Sequence, residues 1–196
     1  MLDSNTSQEL VIYSQNAKDI VNGWFNDLQQ RDHSKSFNGR LWRAELRRAK
    51  DIYQVITTQG FRALLNKLEK VLNFQQSDIL ALAIFASVAA HARRINNQRS
   101  FAAQLGTDLK GKPCLSALRF DRLIQARQPE EFCAQLIRAV KLRGDEGVNI
   151  TSLADGVFLW MREWQARQEH QALELNPFKR NDVRWSSEYL MASEKN

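Results

Sequence analysis

The sequence predicts an all-α protein built as two small helical-bundle lobes, and three observations favour this fold class. Leu, Ala, Gln, Arg and Glu dominate the 196 residues, whereas only 8 are Gly and 3 are Pro, a composition that favours helices. Apolar residues recur at spacings of three and four, as on the buried side of an amphipathic helix. No long stretch alternates apolar and polar residues, which is the pattern of a half-buried strand.

The N-terminal half is expected to hold a flexible tail at residues 1–16 and a helical lobe at residues 17–95. The helices predicted for this lobe cover residues 18–31, 39–50, 61–73 and 77–91. The second helix is predicted to bury one stripe, formed by Trp42, Leu46, Ala49 and Tyr53. Ser77 is the expected N-cap of the fourth helix.

Residues 96–114 contain two glycines and a proline and are expected to connect the lobes. Residues 115–196 are predicted to form the C-terminal lobe. Its predicted helices cover residues 115–126, 129–143, a long stretch from about 151, and a final short segment after Pro177. The spacing of the tryptophans places Trp42, Trp160 and Trp164 on apolar faces, so we expect them in the core.

Location and redox state follow from simple counts. The N-terminal sequence MLDSNTSQEL lacks the positive end and apolar core of a signal peptide. The longest apolar run, residues 79–90, is shorter than the roughly 20 residues that span a bilayer. The two cysteines, Cys114 and Cys133, form no CxxC pair. We therefore expect a cytoplasmic protein with no membrane contact, no disulfide framework and no zinc cluster.

The motifs that suggest chemistry are incomplete. Residues 106–112 match the phosphate-binding pattern GxxxxGK, but Pro113 stands where a Ser or Thr must follow. The three histidines are far apart, and none has a partner at metal-ligand spacing. The sequence therefore predicts no catalytic residue, no metal site and no cofactor.

Positive charge is concentrated in the middle of the chain. Residues 40–143 carry 19 Lys or Arg against 8 Asp or Glu, although the net charge of the whole chain is only +6. Such a concentration is typical of a surface that binds a polyanion, and nucleic acid is the commonest such partner. No aromatic residue is interleaved for base stacking, so we expect contacts to sugar and phosphate.

Five short motifs occur in an order that is characteristic of one family. They are RAELRRA (43–49), LRFDRLI (118–124) followed by Ala126-Arg127, EEFCAQLIRAVKL (130–142), Leu159-Trp160 before Trp164, and RWSSEY (184–189). Together they resemble the CasB family, the small subunit of the type I-E CRISPR surveillance complex Cascade, over residues 39–189. One departure is the run Ser116-Ala-Leu-Arg119, which lacks an acid and an arginine that the family commonly has.

The resemblance implies a non-catalytic helical subunit, present in two copies beside the backbone and large subunits. It also implies that this subunit supports guide RNA and target DNA and holds the displaced strand of the R-loop. The matching motifs predict five nucleic-acid-binding residues: Arg43, Arg47, Arg48, Arg119 and Arg122. Charge and helical phase add four more: Arg93, Arg94, Arg138 and Lys141.

Two other functions remain open from the sequence. A free-standing helical DNA-binding transcriptional regulator would need a helix-turn-helix with a base-reading recognition helix. A pure protein-interaction module would use the same basic surface to bind an acidic protein. The sequence does not decide which strand is bound or how many copies assemble.

Overall fold

The computed structural model describes residues 12, 14–30 and 37–194, and within these residues the secondary structure consists of helices and two isolated β-bridges. The all-α prediction is therefore confirmed. The ten α-helices of the described chain are α1 (Gln15–Gln29), α2 (Gly39–Arg48), α3 (Ile52–Thr57), α4 (Gln59–Leu68), α5 (Gln76–Ala89), α6 (Phe101–Gly106), α7 (Ala117–Ile124), α8 (Pro129–Arg143), α9 (Ile150–Gln168) and α10 (Asn181–Ser193).

Short polar side chains begin many of these helices. In six of them an N-cap oxygen accepts a hydrogen bond from a backbone N–H of the first turn, as expected for good capping residues. These N-caps are Ser14, Asn38, Asp51, Thr58, Ser100 and Asn149. The prediction that Ser77 caps α5 is wrong, because Gln75 occupies that position and its N–H donates to Asp78.

The second predicted helix is interrupted. Helix α2 ends at Arg48, and the Asp51 carboxylate then accepts the Gln54 N–H to begin the short helix α3. This break changes the helical phase, so Tyr53 does not continue the buried stripe of α2 and is 67% exposed. Of the three tryptophans expected in the core, Trp160 is buried, whereas Trp42 and Trp164 are partly buried against the core.

Helix α5 lies at the centre of the molecule. Every residue from Ala81 to Ala90 is buried, so this helix is apolar on all sides and has no solvent-facing stripe. It packs against α3 in the N-terminal half and against α8 and α9 in the C-terminal half. The described residues thus share one hydrophobic cluster, and the division into two lobes joined by residues 96–114 stays a prediction.

The C-terminal helix fixes the beginning of α7. The Tyr189 ring stacks on Phe120 with centroids 3.9 Å apart, and the Tyr189 hydroxyl donates to the Leu115 carbonyl at 2.7 Å. On its other side α10 lies so close to α6 that a Cβ atom on Gly106 would collide with the Tyr189 backbone. Helix α7 is therefore held in place by residues far along the chain.

Most of the tail predicted for residues 1–16 lies outside the described residues. At its end, Ile12 is buried and its N–H donates to the Asp155 carboxylate at 2.9 Å. Helix α1 then begins at Gln15. None of the helices in the described parts of the chain is long and apolar enough to cross a membrane.

Candidate nucleic-acid interface

Four of the predicted nucleic-acid-binding residues line one groove of about 520 Å³ between α7 and α8, which we call the α7–α8 groove. Its lining consists of Leu115, Arg119, Arg122, Gln135, Arg138, Lys141 and Leu142. No Asp or Glu is among these residues, so the groove carries positive charge alone.

Helices α7 and α8 both expose their groove cations because the opposite face of each helix is buried in the core. Helix α7 buries Phe120 and Leu123, which leaves Arg119 and Arg122 on its exposed side. Helix α8 likewise buries Leu136, Ala139 and Val140 against the core. Arg138 and Lys141 are consequently exposed, as their three-residue spacing predicts.

The groove cations are available to a ligand. Within the described part of the chain, no hydrogen bond or ion pair engages the side chains of Arg119, Arg122, Arg138 or Lys141. A guanidinium group has five N–H donors in a planar fork that matches two phosphate oxygens. An arrangement of three such forks and one ammonium around a groove suits a phosphate backbone.

Arg43 and Arg47 lie outside the α7–α8 groove, at the C-terminal end of α5. Arg43 donates through Nε to the Ala90 carbonyl at 2.8 Å and through Nη2 to the Ala92 carbonyl at 2.6 Å. Arg47 donates through Nε to the same Ala90 carbonyl at 2.9 Å. The last carbonyls of a helix lack partners within it and carry partial negative charge, so both arginines stabilise this helix end.

Arg43 and Arg47 differ in how many of their N–H donors the protein engages. A third hydrogen bond joins Arg43 to the Gln29 side chain, and Arg43 is half-buried; burial, followed by the charges of Arg47 and Arg40, lowers its pKa. Arg47 is exposed and has one hydrogen bond, so it retains N–H donors that point to no protein acceptor among the described residues.

His91 follows Ala90 at the end of α5, and it is near enough to Lys141 of the groove for that charge to affect its pKa. Burial lowers its pKa to about 4, and the charges of Lys141, Arg47 and Arg43 add to this effect. The imidazole is therefore neutral at pH 7, with cations of the groove and of α2 on its flanks. We call the combination of the α7–α8 groove with Arg43 and Arg47 the basic face.

The other three predicted residues lie outside the groove. Arg48 and Arg94 are exposed and have no side-chain partner in the described ranges. Arg93 is also exposed, but its Nη1 contacts both oxygens of Asp145 at 2.9 and 3.0 Å. The structure therefore brings together four of the nine predicted residues, with Arg43 and Arg47 beside them.

Sequence reasoning missed the uncharged groove residues. Gln135 lies three positions before Arg138 on α8, so helical spacing alone places it on the same face. Leu142 follows Lys141 on α8 and is 44% exposed. A leucine on the helix face that carries the cations, instead of on the buried face, is the sequence signal that could have identified it. Leu115 precedes α7 and had no periodic signal.

The histidines, the cysteines and the GxxxxGK pattern form no recognisable chemical site among the described residues. No group of three or more His, Cys, Asp or Glu there could hold a metal ion. The first residue of the 106–112 pattern, Gly106, ends helix α6, so the pattern follows a helix instead of a strand. The residues after it form a tight turn closed by a 2.6 Å bond from the Gly111 N–H to Asp108.

Comparison with known proteins identifies a family. A family model described as CRISPR-associated protein Cse2 matches residues 42–189, a span that contains all nine predicted site residues. No curated protein and no solved structure matches the chain significantly.

Proposed function

This chain belongs to the CRISPR-associated Cse2 family, the small subunit of the type I-E complex Cascade, and we propose that in this complex it binds nucleic-acid backbone without catalysing a reaction. Its role is to support the guide RNA and target DNA and to stabilise the R-loop by holding the displaced strand. Guide RNA and invading DNA meet in the cytoplasm, which is the location this function requires.

The observation that carries this proposal is the α7–α8 groove. Four cations face one concavity from two helices, and among the described residues no side chain pairs with them and no carboxylate lines the groove. Contacts of this kind fix the position of a strand and carry no sequence information. A subunit that must accept any guide and any target needs this kind of binding.

Modest affinity is sufficient for this role. Formation of the R-loop exchanges one duplex for another of similar stability, so protein contacts to the backbone can shift the equilibrium. If four phosphates are neutralised on a single strand, the logarithm of the affinity falls with the logarithm of salt concentration with a slope of about −3.

Protein partners are the second part of the proposal. We expect contacts with the backbone and large subunits of Cascade and with a second copy of this chain. Several large apolar side chains are exposed on the C-terminal half and suit such contacts: Leu118, Leu175, Phe178, Leu190 and Met191.

The alternative of a free-standing transcriptional regulator is not supported, because the matched family is a Cascade subunit. Charge reversal distinguishes nucleic acid from an acidic protein as the ligand of the basic face. If the groove binds only protein, Arg119→Glu leaves nucleic-acid affinity unchanged and abolishes partner binding.

The test is the affinity of the full-length protein for a fluorescent single-stranded oligonucleotide of mixed sequence over a series of salt concentrations. The double variant Arg119→Glu/Arg138→Glu should bind at least about tenfold more weakly and with a shallower salt slope. Arg62→Glu, on the exposed side of α4, is the control outside the groove, and it reverses one charge where the double variant reverses two. Equal losses in both proteins would contradict a specific role for the groove.

A further inference from the structure

The two helices of the α7–α8 groove are joined by a short connection, residues 125–128, at one end of each helix. Leu115, which precedes α7, and Leu142, one residue before the end of α8, belong to the opposite ends, and both line the groove. Two helices with one short connection can open or close at their other ends. The separation of the groove cations therefore depends on what holds those ends.

The last turn of α6 holds both of them. The Leu115 N–H donates to the Leu105 carbonyl at 2.9 Å, which joins the beginning of α7 to α6. The Arg143 side chain, at the end of α8, donates from Nη1 to the Gln104 carbonyl at 3.0 Å. The last carbonyls of a helix have no donor within that helix, so these two oxygens can accept from outside. Two adjacent residues of α6 thus contact the two helices of the groove.

Arg143 faces the interior, although it follows groove residues on α8. Its side chain belongs to a residue that is only 4% exposed, and a further hydrogen bond runs from Nε to the Gly147 carbonyl at 3.0 Å. The planar guanidinium fixes the directions of its N–H donors relative to one another. Because the two acceptors lie on different segments, this side chain fixes the end of α8 relative to α6.

Tyr189 holds the beginning of α7 from the other side. Its hydroxyl donates to the Leu115 carbonyl at 2.7 Å, and its ring stacks on Phe120 of α7. Its backbone lies so close to Gly106, the last residue of α6, that a Cβ atom there would collide with it. Leu115 is therefore held through both of its backbone polar groups, the N–H by Leu105 and the carbonyl by Tyr189.

The last turn of α6 is itself fixed by the buried side chain of Gln104. The amide nitrogen of this side chain donates to the Asn96 carbonyl at 2.7 Å, and its amide oxygen accepts the Asn149 N–H at 2.9 Å. A movement of Gln104 would leave these interior groups unpaired, which costs free energy. Helix α6 is therefore a fixed reference for both α7 and α8.

We propose that Tyr189 and Arg143 are positioning residues for nucleic-acid binding: they hold α7 and α8 at the separation at which cations of both helices contact one strand. Both residues are buried, and neither contacts the strand. This inference rests on the proposed function, because it concerns the same groove. It adds that affinity depends on the separation of the two helices as well as on the number of cations.

The first test measures the affinity of Tyr189→Phe for a fluorescent single-stranded oligonucleotide. This variant keeps the ring but removes the donor of the Leu115 carbonyl, so the beginning of α7 should shift to pair this buried group again. We expect binding to be at least about threefold weaker. Tyr53→Phe is the matched control and should bind like the unmodified protein, since Tyr53 is 67% exposed and has no described hydrogen-bond partner. An unchanged affinity of Tyr189→Phe would overturn the proposal.

A loss that comes from positioning should require cations on both helices. Tyr189→Phe is therefore repeated in two backgrounds, Arg119→Ala/Arg122→Ala and Arg138→Ala/Lys141→Ala, each of which leaves groove cations on one helix only. The effect of Tyr189→Phe should disappear in both backgrounds, because no separation between two sets of cations remains. A merely structural role would lower the affinity by the same factor in every background, and that result would overturn the proposal.

Arg143→Lys tests the α8 side with the net charge unchanged. Lysine has one nitrogen in place of the planar fork, so it does not reproduce the two fixed hydrogen bonds of Arg143. We expect binding to be about threefold weaker, again only when both helices carry cations. Arg62→Lys, at an exposed position of α4, is the matched control and should have no effect. If Tyr189→Phe does not fold, as judged by circular dichroism, Arg143→Lys decides the question, and an affinity equal to that of Arg62→Lys would overturn the proposal.

The same titrations separate this inference from the proposed function. Weaker binding of Arg119→Glu/Arg138→Glu, together with unchanged binding of Tyr189→Phe and Arg143→Lys, would retain the groove as the binding site and overturn the positioning role alone. No loss in Arg119→Glu/Arg138→Glu, or no strand binding by the unmodified protein, would overturn both.

Discussion

The guanidinium of Arg43 donates from Nε to the carbonyl oxygen of Ala90 at 2.8 Å, across 47 positions of sequence. A cation that the sequence assigns to nucleic acid therefore also closes the C-terminal end of the buried helix α5. The same side chain donates to the Ala92 carbonyl and to Gln29, so it links α1, α2 and the residues that follow α5.

We predict that Arg43→Ala lowers the free energy of unfolding by about 1–3 kcal/mol, because the Ala92 carbonyl and the Gln29 side chain lose this donor at a half-buried position. The Ala90 carbonyl keeps its hydrogen bond from Arg47. Arg48→Ala is the matched control, since Arg48 is exposed on the same helix and has no described side-chain partner. It should change stability by less than about 0.5 kcal/mol. Urea unfolding followed by circular dichroism measures both, and equal effects would contradict the structural role of Arg43.

The ion pair between Asp78 and Arg162 offers a sharper stability test. Asp78 is fully buried, and Arg162 contacts its two oxygens at 2.9 and 3.1 Å. We expect Arg162→Ala to cost about 3 kcal/mol, because it leaves a buried carboxylate without its cation.

The exposed pair between Arg93 and Asp145 is the control for this prediction, since both of its side chains face solvent. Arg93→Ala should cost less than about 1 kcal/mol. Chemical denaturation of the two variants under the same conditions gives the comparison. A loss at Arg162 as small as that at Arg93 would show that Asp78 is not desolvated.

His91 should make stability fall with acid. Its pKa is lowered from 6.5 to about 4 by burial and by the charges of Lys141, Arg47 and Arg43. The unfolded chain therefore binds a proton at a higher pH than the folded chain, and protonation favours unfolding as pH falls from about 6.5 to 4. His91→Gln should remove this part of the pH dependence, as measured by unfolding at several pH values. An unchanged dependence would contradict it.

Asp155 should make stability fall as pH rises, which is opposite to the effect of His91. Burial raises its pKa from 3.8 to about 6, even though the Ile12 N–H and the charges of Arg184 and Lys18 favour the ionised form. The folded chain thus holds a proton that the unfolded chain loses, and this group lowers stability as pH rises from about 4 to 6. Asp155→Asn keeps an acceptor for Ile12. Its stability relative to the unmodified protein should increase over that range, and a constant difference would contradict the raised pKa.

Helical phase was sufficient to predict which cations face outward. Arg119, Arg122, Arg138 and Lys141 could be placed on exposed faces because the buried residues of α7 and α8 recur at regular spacings. The convergence of the two helices into one groove could not be predicted. It depends on contacts such as the stack of Phe120 on Tyr189, which joins residues 69 positions apart in sequence.

The errors of prediction also have local causes. The apolar residues from Trp42 to Tyr53 recur at regular helical spacing, although α2 ends before Asp51 and a new helix begins there. The N-cap at Asp51 changes the direction in which Tyr53 points but leaves its spacing in the sequence unchanged, so the spacing alone does not show the break. Arg43 carries the same charge as its neighbours, and only the fold places the carbonyls of Ala90 and Ala92 beside it.

The lifetime of an R-loop held by assembled Cascade is the most direct test of backbone binding by the α7–α8 groove. Complexes would be purified with the unmodified chain, with Arg119→Glu/Arg138→Glu, or with Arg62→Glu, and each bound to a labelled target. We predict that the double variant assembles with all subunits but loses the displaced strand at least about tenfold faster, whereas Arg62→Glu matches the unmodified complex. An intact complex of the double variant with an unchanged R-loop lifetime would contradict the proposed function.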